Sequence, residues 1–166
     1  MKKIFFLVAL MAIVSTQLLF AQDSKSNALT PLLSSYYDIK DALVKSNSTD
    51  AATYAGEFLK TINSVDMKSL PAGDMNALMA AQEKLAFDAR HMSESKDLSH
   101  QREHFANFSA NFFKLAKAAK LIDQAVYYAY CPMKKSYWLS ADAAIKNPYF
   151  GNQMLTCGKV IETLNK

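Results

Sequence analysis

Apolar residues recur every three or four positions along four consecutive stretches of this chain, and polar residues occupy the other side of each stretch. This spacing predicts four amphipathic α-helices. Thr30 and Pro31 are typical of a helix start, with threonine as the predicted cap and proline in the first turn. The predicted helices span about residues 30–47, 48–66, 74–92 and 97–121. Because their connections are short, we expect an all-α fold, an antiparallel up-and-down four-helix bundle.

The helical rhythm ends near residue 124, and residues 124–166 are predicted to form an irregular cap on the bundle. The run Ala125–Tyr130 is ambiguous, since its alanines favour helix and its tyrosines favour extended structure. We expect it to continue as helix and to break at Cys131 and Pro132, because proline restricts the residue before it. Short helices are then predicted at about 140–145 and 154–164. The cap is expected to dock on the bundle through its large aromatic residues, Trp138, Tyr149 and Phe150.

The N-terminus has the pattern of a cleavable signal peptide. Lys2 and Lys3 provide the charged start, the apolar run 4–14 follows, and Ala21 is the small residue before the predicted cleavage point. That run is short for a membrane span, so we expect no transmembrane segment after cleavage. The predicted division is a signal peptide at 1–21, a flexible lead-in at 22–29 and a single domain at 30–166. Such a protein is expected in the periplasm, with secretion as the alternative.

Composition argues against several classes of function. Removal of Lys2 and Lys3 with the signal peptide lowers the formal net charge from +4 to +2, and no run of basic residues stands out. Nucleic acid is therefore not an expected partner. The chain has four glycines and no glycine-rich phosphate loop, and none of its serines lies in a nucleophile elbow. We therefore expect a protein that is not an enzyme.

Four sulfur-containing side chains lie near the C-terminus in two Cys/Met pairs: Cys131, Met133, Met154 and Cys157. Thiolates and thioethers are soft ligands that suit Cu(I), so one interpretation is a copper site where the two pairs meet. The other is a structural disulfide between Cys131 and Cys157, since cysteines in an oxidising compartment commonly pair. The methionines would then fill the core. The residues alone favour the disulfide, and free buried thiols are a third alternative.

Histidines and arginines are the remaining candidates. His100 and His104 are one helical turn apart and can hold zinc or copper from one side of the fourth helix. Antiparallel packing would bring His91, near the end of the third helix, towards His100. Surface or boundary positions are the alternative interpretation of these histidines, and the residues alone favour it. Arg102 is predicted to be structural, its guanidinium group holding the C-terminal segment against the bundle.

Four short motifs stand out in the C-terminal region. They lie at 131–133 (Cys-Pro-Met), 138–140 (Trp-Leu-Ser), 145–151 (ending Asn-Pro-Tyr-Phe-Gly) and 154–158 (Met-Leu-Thr-Cys-Gly). Together with Arg102, Phe105 and Ser109 upstream, they resemble a known family, the domain of unknown function 3347. The resemblance extends from about Tyr36 to Ile161. It implies a periplasmic helical domain that is also found appended to adaptor proteins of heavy-metal efflux pumps. Because of that association, the metal-site interpretation of the two cysteines becomes nearly as strong as the disulfide interpretation.

The leading hypothesis is a non-catalytic exported protein that binds copper or a related soft metal and is accessory to heavy-metal efflux or tolerance. Cys131 and Cys157 would be the primary ligands, and a periplasmic efflux adaptor or another envelope protein is the expected partner. The alternative is a periplasmic protein-interaction module in which the two cysteines form a structural disulfide. The residues predicted to form its interaction surface are Trp138, Asn147, Tyr149 and Phe150.

Overall fold

Four α-helices come first in the chain, and a small antiparallel β-sheet follows them. The structure is a computed structural model that describes residues 28–121 and 124–165. The helices are α1 (Thr30–Val44), α2 (Ser48–Asn63), α3 (Ala72–Glu94) and α4 (Leu98–Ala118). The strands are β1 (Val126–Cys131), β2 (Ser136–Ser140) and β3 (Lys159–Leu164). The predicted signal peptide, and the predicted lead-in up to residue 27, lie outside the described residues.

The four helices confirm the helical part of the sequence prediction, since no end differs from its predicted position by more than three residues. Asn47 and Asp97 cap α2 and α4, each with a side-chain oxygen that accepts a backbone N–H of the first turn. The predicted cap at Thr30 is wrong, because Thr30 is itself helical. Leu29 occupies the cap position of α1 without a side-chain cap, and it is fully buried. No helix within 28–121 or 124–165 is both long and apolar enough to cross a bilayer.

Contacts between α1 and α4 show that these helices run antiparallel. The Tyr36 hydroxyl lies 2.6 Å from Ser109 Oγ, whereas Arg102, earlier in α4, donates to the carbonyl of Leu43, later in α1. The core between the helices is rich in aromatic rings because the apolar stripes of α1, α2 and α4 meet there. Its fully buried rings, with neighbouring centroids as close as 4.7 Å, belong to Tyr36, Phe58, Phe105, Phe108 and Phe112.

The three strands form one antiparallel sheet in the order β2-β1-β3, with β1 in the centre. The register places Cys131 of β1 opposite Ser136 of β2, and Tyr130 of β1 opposite Lys159 of β3. Strand β2 packs on α4. The sheet is joined to α1 by a buried hydrogen bond of 2.9 Å, in which the Leu139 N–H donates to the Tyr36 hydroxyl.

The all-α prediction is therefore wrong for the C-terminal cap. The segment 125–130, predicted as helix, lies in β1 from its second residue onward, and the segment 154–164, also predicted as helix, contains β3. The segment predicted as a helix after residue 140 forms bends at 141–144. Tyrosines in β1 and β-branched residues in β3 favour a pleated, half-buried surface. The alanines of β1 do not outweigh this preference once β2 and β3 supply hydrogen-bonding partners on both sides.

Arg102 holds the segment between β2 and β3 against the helices. Its Nε donates to the carbonyl of Pro148 at 2.9 Å, and its Nη2 donates to the carbonyl of Leu43 at 3.1 Å and to Ser46 Oγ at 3.0 Å. The predicted contact between Arg102 and the C-terminal segment is confirmed. Gly151 lies beside this contact with φ +54°, and a Cβ at Gly151 would collide with Ser46 and Arg102.

Candidate metal centre

The connection between α3 and α4 brings the ends of these two helices together. Gln101, whose side chain is completely buried, fixes this connection: its Nε2 donates to the carbonyl of Ser95 at 2.7 Å and to that of Ser48 at 2.8 Å. Asp97 caps the first turn of α4 in the same region. The end of α3 and the start of α4 are therefore held in a defined position relative to α2.

Three histidines meet at this end of the helix pair: His91 from α3, and His100 and His104 from α4. One ligand nitrogen from each ring lies within 4.8 Å of those of the other two. The ring centroids of His91 and His104 are 4.5 Å apart, and those of His100 and His104 are 4.6 Å apart. All three side chains are half-buried. Three histidines this close together can hold a metal ion.

Asp88 lies behind the cluster, one turn before His91 on α3. Its Oδ1 is 2.9 Å from Nδ1 of His104, and Asp88 itself is 4 % exposed. A carboxylate at Nδ1 fixes the ring and leaves Nε2 as the ligand atom. The pKa of Asp88 is raised because burial disfavours its charged form, although the hydrogen bond to His104 and the charges of His104 and His91 act in the opposite direction.

Phe87 covers one side of the cluster. Its ring centroid is 4.4 Å from that of His91 and 5.9 Å from that of His104, and the residue is 52 % exposed. Phe87 and Asp88 also line a surface cleft of about 530 Å³ between α3 and α4. The cleft is therefore lined by two neighbours of the histidine cluster and by none of the three histidines themselves.

The two cysteines approach each other in the C-terminal part of the domain, beside the sheet. Cys131 is the last residue of β1, and Cys157 lies two residues before β3. Their Sγ atoms are 4.0 Å apart, Cys131 is fully buried, Cys157 is half-buried, and both are free thiols. The pKa of Cys157 is raised, first by desolvation and then by the hydrogen bond and charge of Cys131, while a hydrogen bond from the Met133 N–H lowers it.

The two methionines of the predicted sulfur site lie at the surface. Met133 is 65 % exposed and Met154 is 37 % exposed. The structure therefore brings together the two predicted thiol ligands and leaves both predicted thioether ligands exposed at the surface. Neither methionine fills the core, which was the alternative interpretation of these residues.

The residues predicted as an interaction surface occupy a different position. Trp138 is 1 % exposed, Asn147 0 % and Tyr149 4 %, and Phe150 is half-buried against the core. Burial prevents the first three from presenting a surface to a partner, so that prediction is corrected. Their packing, with the Tyr149 ring 5.9 Å from Phe105 and 6.1 Å from Trp138, agrees instead with the predicted docking of the cap.

The helices match a known family model. Residues 32–124, more than half of the chain, match the model described as protein of unknown function (DUF3347). The chain belongs to the DUF3347 family. The resemblance predicted from the sequence is thus confirmed. No curated protein and no solved structure shows a significant match to the chain.

The DUF3347 match and the C-terminal motifs cover different parts of the domain. The matched range contains all three histidines and Asp88, and it ends before β1. Of the residues on which the resemblance was based, Arg102, Phe105 and Ser109 lie inside the matched range, and the motifs between 131 and 158 lie beyond it.

Sequence reasoning missed two residues that position the histidine cluster, Asp88 and Gln101. Each is a polar residue on an otherwise apolar helical stripe: Asp88 is followed by the buried Ala89, and Gln101 lies between Leu98 and Phe105. A polar residue at a core position needs a partner. That requirement was the signal available in the sequence for both residues.

Proposed function

We propose that this DUF3347 protein binds a transition-metal ion through His91, His100 and His104. The observation that supports the proposal most directly is the approach of the three ligand nitrogens to within 4.8 Å of one another. Metal–nitrogen bonds of 2.0–2.1 Å in tetrahedral geometry place ligand nitrogens about 3.4 Å apart. The cluster therefore has to close by a small rotation of its half-exposed rings. The buried Asp88 carboxylate orients one of these rings before any ion arrives.

Copper is the metal that we propose. Imidazole ligands suit copper as well as zinc, and divalent copper binds nitrogen sites more tightly than the other first-row divalent ions. Three protein ligands also leave a coordination position open, as expected of a site that takes up an ion and passes it on. The predicted signal peptide would place this site outside the cytoplasm.

The biological role that follows is accessory to metal tolerance or heavy-metal efflux. An exported, non-catalytic protein with an open histidine site would lower the concentration of free copper and present the ion to an envelope partner, for which an efflux adaptor is the candidate. The competing interaction-module hypothesis has lost support, because three of the four residues chosen for its surface, Trp138, Asn147 and Tyr149, are buried.

The binding proposal is tested by titrating the purified Cys157→Ser protein, without residues 1–21, with Cu(II) against a chelator of known affinity, so that the pair of thiols neither binds nor reduces copper. We expect one ion per chain, and we expect His91→Ala and His104→Ala each to weaken binding by more than about 100-fold, since loss of an outer-shell partner alone costs about 10–100-fold. Arg90 is an exposed neighbour of His91, so Arg90→Ala is the matched control. This variant should bind Cu(II) as tightly as the parent does. Unchanged binding in both histidine variants would exclude this site.

The cellular role needs a separate measurement. A strain lacking the gene should grow more poorly at elevated copper, and the parent chain should restore growth whereas the His91→Ala/His104→Ala chain should not. Equal growth of the deletion strain and its parent across a copper series would refute the tolerance role while leaving the binding result intact.

A further inference from the structure

The Cys131 and Cys157 thiols form a pair of soft ligands, 4.0 Å apart, that shares no residue with the histidine cluster. We propose that these two residues are a second metal site, one that binds a soft monovalent ion such as Cu(I) through two thiolates. This inference does not rest on the histidine site, because the two sets of ligands share no residue. It narrows the four-sulfur site predicted from sequence to its two cysteines.

The separation of the sulfurs suits a bridging ion. With metal–thiolate bonds of about 2.3 Å, two sulfurs 4.0 Å apart subtend an angle of about 120° at the metal. A soft ion can therefore enter between the thiols with almost no displacement of either sulfur. Direct S–S bonding, at about 2.05 Å, would require the two sulfurs to approach by about 2 Å.

A backbone N–H group is an outer-shell donor to one of the two sulfurs. The turn that joins β1 to β2 directs the Lys134 N–H to the Cys131 sulfur at 3.4 Å. A hydrogen bond of this kind favours the thiolate over the thiol. It can therefore stabilise part of the negative charge that remains when two thiolates share one monovalent ion.

Asn147 fixes the second ligand in position. It is fully buried, its Nδ2 donates to the Cys157 carbonyl at 2.6 Å, and its Oδ1 accepts from the Tyr149 N–H at 2.8 Å. Gly158 then allows the chain to pass close to Trp138, because a Cβ at Gly158 would lie 2.7 Å from that ring. Cys131 is held by the central strand. Both thiols are therefore set by the fold before an ion binds, which lowers the cost of binding.

The surroundings select for a soft ion. Two protein thiolates leave Zn(II) short of its usual four ligands, whereas thiolate sulfur is a preferred ligand of Cu(I). The half-buried Cys157 provides access. Met133 and Met154 lie within three residues of the thiols and are exposed at the surface, so their thioethers are available to an incoming soft ion.

The test uses fully reduced protein under anaerobic conditions, with two thiols per chain verified by thiol titration. Cu(I) is titrated against a chromophoric Cu(I) chelator, first in a His91→Ala/His100→Ala/His104→Ala background, so that only sulfur ligands remain. We expect this triple variant to retain one Cu(I) per chain. Adding Cys157→Ser should weaken Cu(I) binding by more than about 100-fold, and Thr156→Ser, its exposed neighbour, should not change it.

Two comparisons make the result decisive. Cys157 is half-buried, so Cys157→Ser should keep the parent's circular dichroism and melting temperature even if the buried Cys131→Ser does not. Met133→Leu should weaken Cu(I) binding much less than Cys157→Ser does. Cu(I) binding that survives Cys157→Ser, or that is absent from the reduced triple-histidine variant, would overturn the proposal. Failure of the histidine site would appear separately, as unchanged Cu(II) binding in the histidine variants.

Discussion

Asp88 and His104 are hydrogen-bonded across the α3–α4 interface, with Oδ1 and Nδ1 2.9 Å apart. The carboxylate is buried and the imidazole is half-buried, so the pair orients a ring of the histidine cluster from the protein interior. Outer-shell carboxylates of this kind fix the tautomer of a ligand histidine and increase its basicity. Asp88 is thus a positioning residue of the proposed metal site.

Replacement of that carboxylate should weaken metal binding without removing a ligand. We expect Asp88→Asn, which preserves the shape of the side chain, to lower Cu(II) affinity by about 10–100-fold in a chelator competition. Glu83→Gln removes an exposed carboxylate from the same helix and should leave affinity unchanged. Equal affinities for Asp88→Asn and the parent chain would show that the carboxylate charge beside His104 has no part in binding.

The hydroxyl of Tyr36 joins three elements of the fold. It is 2.6 Å from Ser109 Oγ in α4, and it accepts the Leu139 N–H of β2 at 2.9 Å. Tyr36→Phe keeps the ring but leaves these buried groups unpaired, so the free energy of unfolding should fall by about 1–3 kcal/mol in urea. Tyr37→Phe is the control, because the Tyr37 hydroxyl has no hydrogen-bond partner among the described residues. Similar losses in both variants would contradict this assignment.

Gly151 and Gly73 should respond in opposite ways to substitution by alanine. Gly151 has φ +54° and no room for a Cβ beside Arg102 and Ser46, so Gly151→Ala should lower the free energy of unfolding by about 1–3 kcal/mol. Gly73 lies in the first turn of α3 with no atom near its missing Cβ, and Gly73→Ala should stabilise the fold by up to about 1 kcal/mol. Chemical denaturation of both variants checks the difference, and a neutral Gly151→Ala would contradict it.

Alkaline pH should destabilise the fold through its tyrosines. Burial raises the pKa of Tyr37 and of Tyr128 to about 12, from an ordinary value of 10.0. Above pH 10 the unfolded chain therefore holds fewer protons than the folded one, and stability decreases as the pH rises towards 12. Urea denaturation over this range should show the decrease, and Tyr128→Phe, which keeps the ring stacked on Phe113, should show a smaller one. Identical pH dependence in the two proteins would argue against the role of Tyr128.

The helices were predictable because each contains its own signal, an apolar stripe at helical spacing, and needs no knowledge of distant residues. The sheet was not, since β1 is defined by its partners. Ala125–Tyr130 is locally ambiguous, and its extended form depends on pairing such as that of Tyr130 with Lys159, far along the chain. Tertiary pairing overrides weak local preference in such segments.

The candidate sites were likewise predictable only where the signal is local in the sequence. The one-turn spacing of His100 and His104 and antiparallel packing allowed an approach of His91, although the residues alone favoured surface or boundary positions. The structure brings all three histidines together. The proximity of Cys131 and Cys157 could not be predicted from the sequence. It was only a requirement of both the metal-site and the disulfide interpretations. The partner of Asp88 was not predictable, because nothing local indicates which side chain of a neighbouring helix a buried carboxylate will meet.

The hydrogen bonds that Arg102 and Tyr36 make to the C-terminal segment have a consequence for truncated forms of this protein. A fragment cut after residue 124 would keep all four helices and the whole segment matched by the family model. It would also lose the Leu139 N–H that pairs with Tyr36 and the Pro148 carbonyl that pairs with Arg102. The segment that matches the family model is therefore shorter than the segment needed for the complete fold. A fragment chosen for expression should extend through β3.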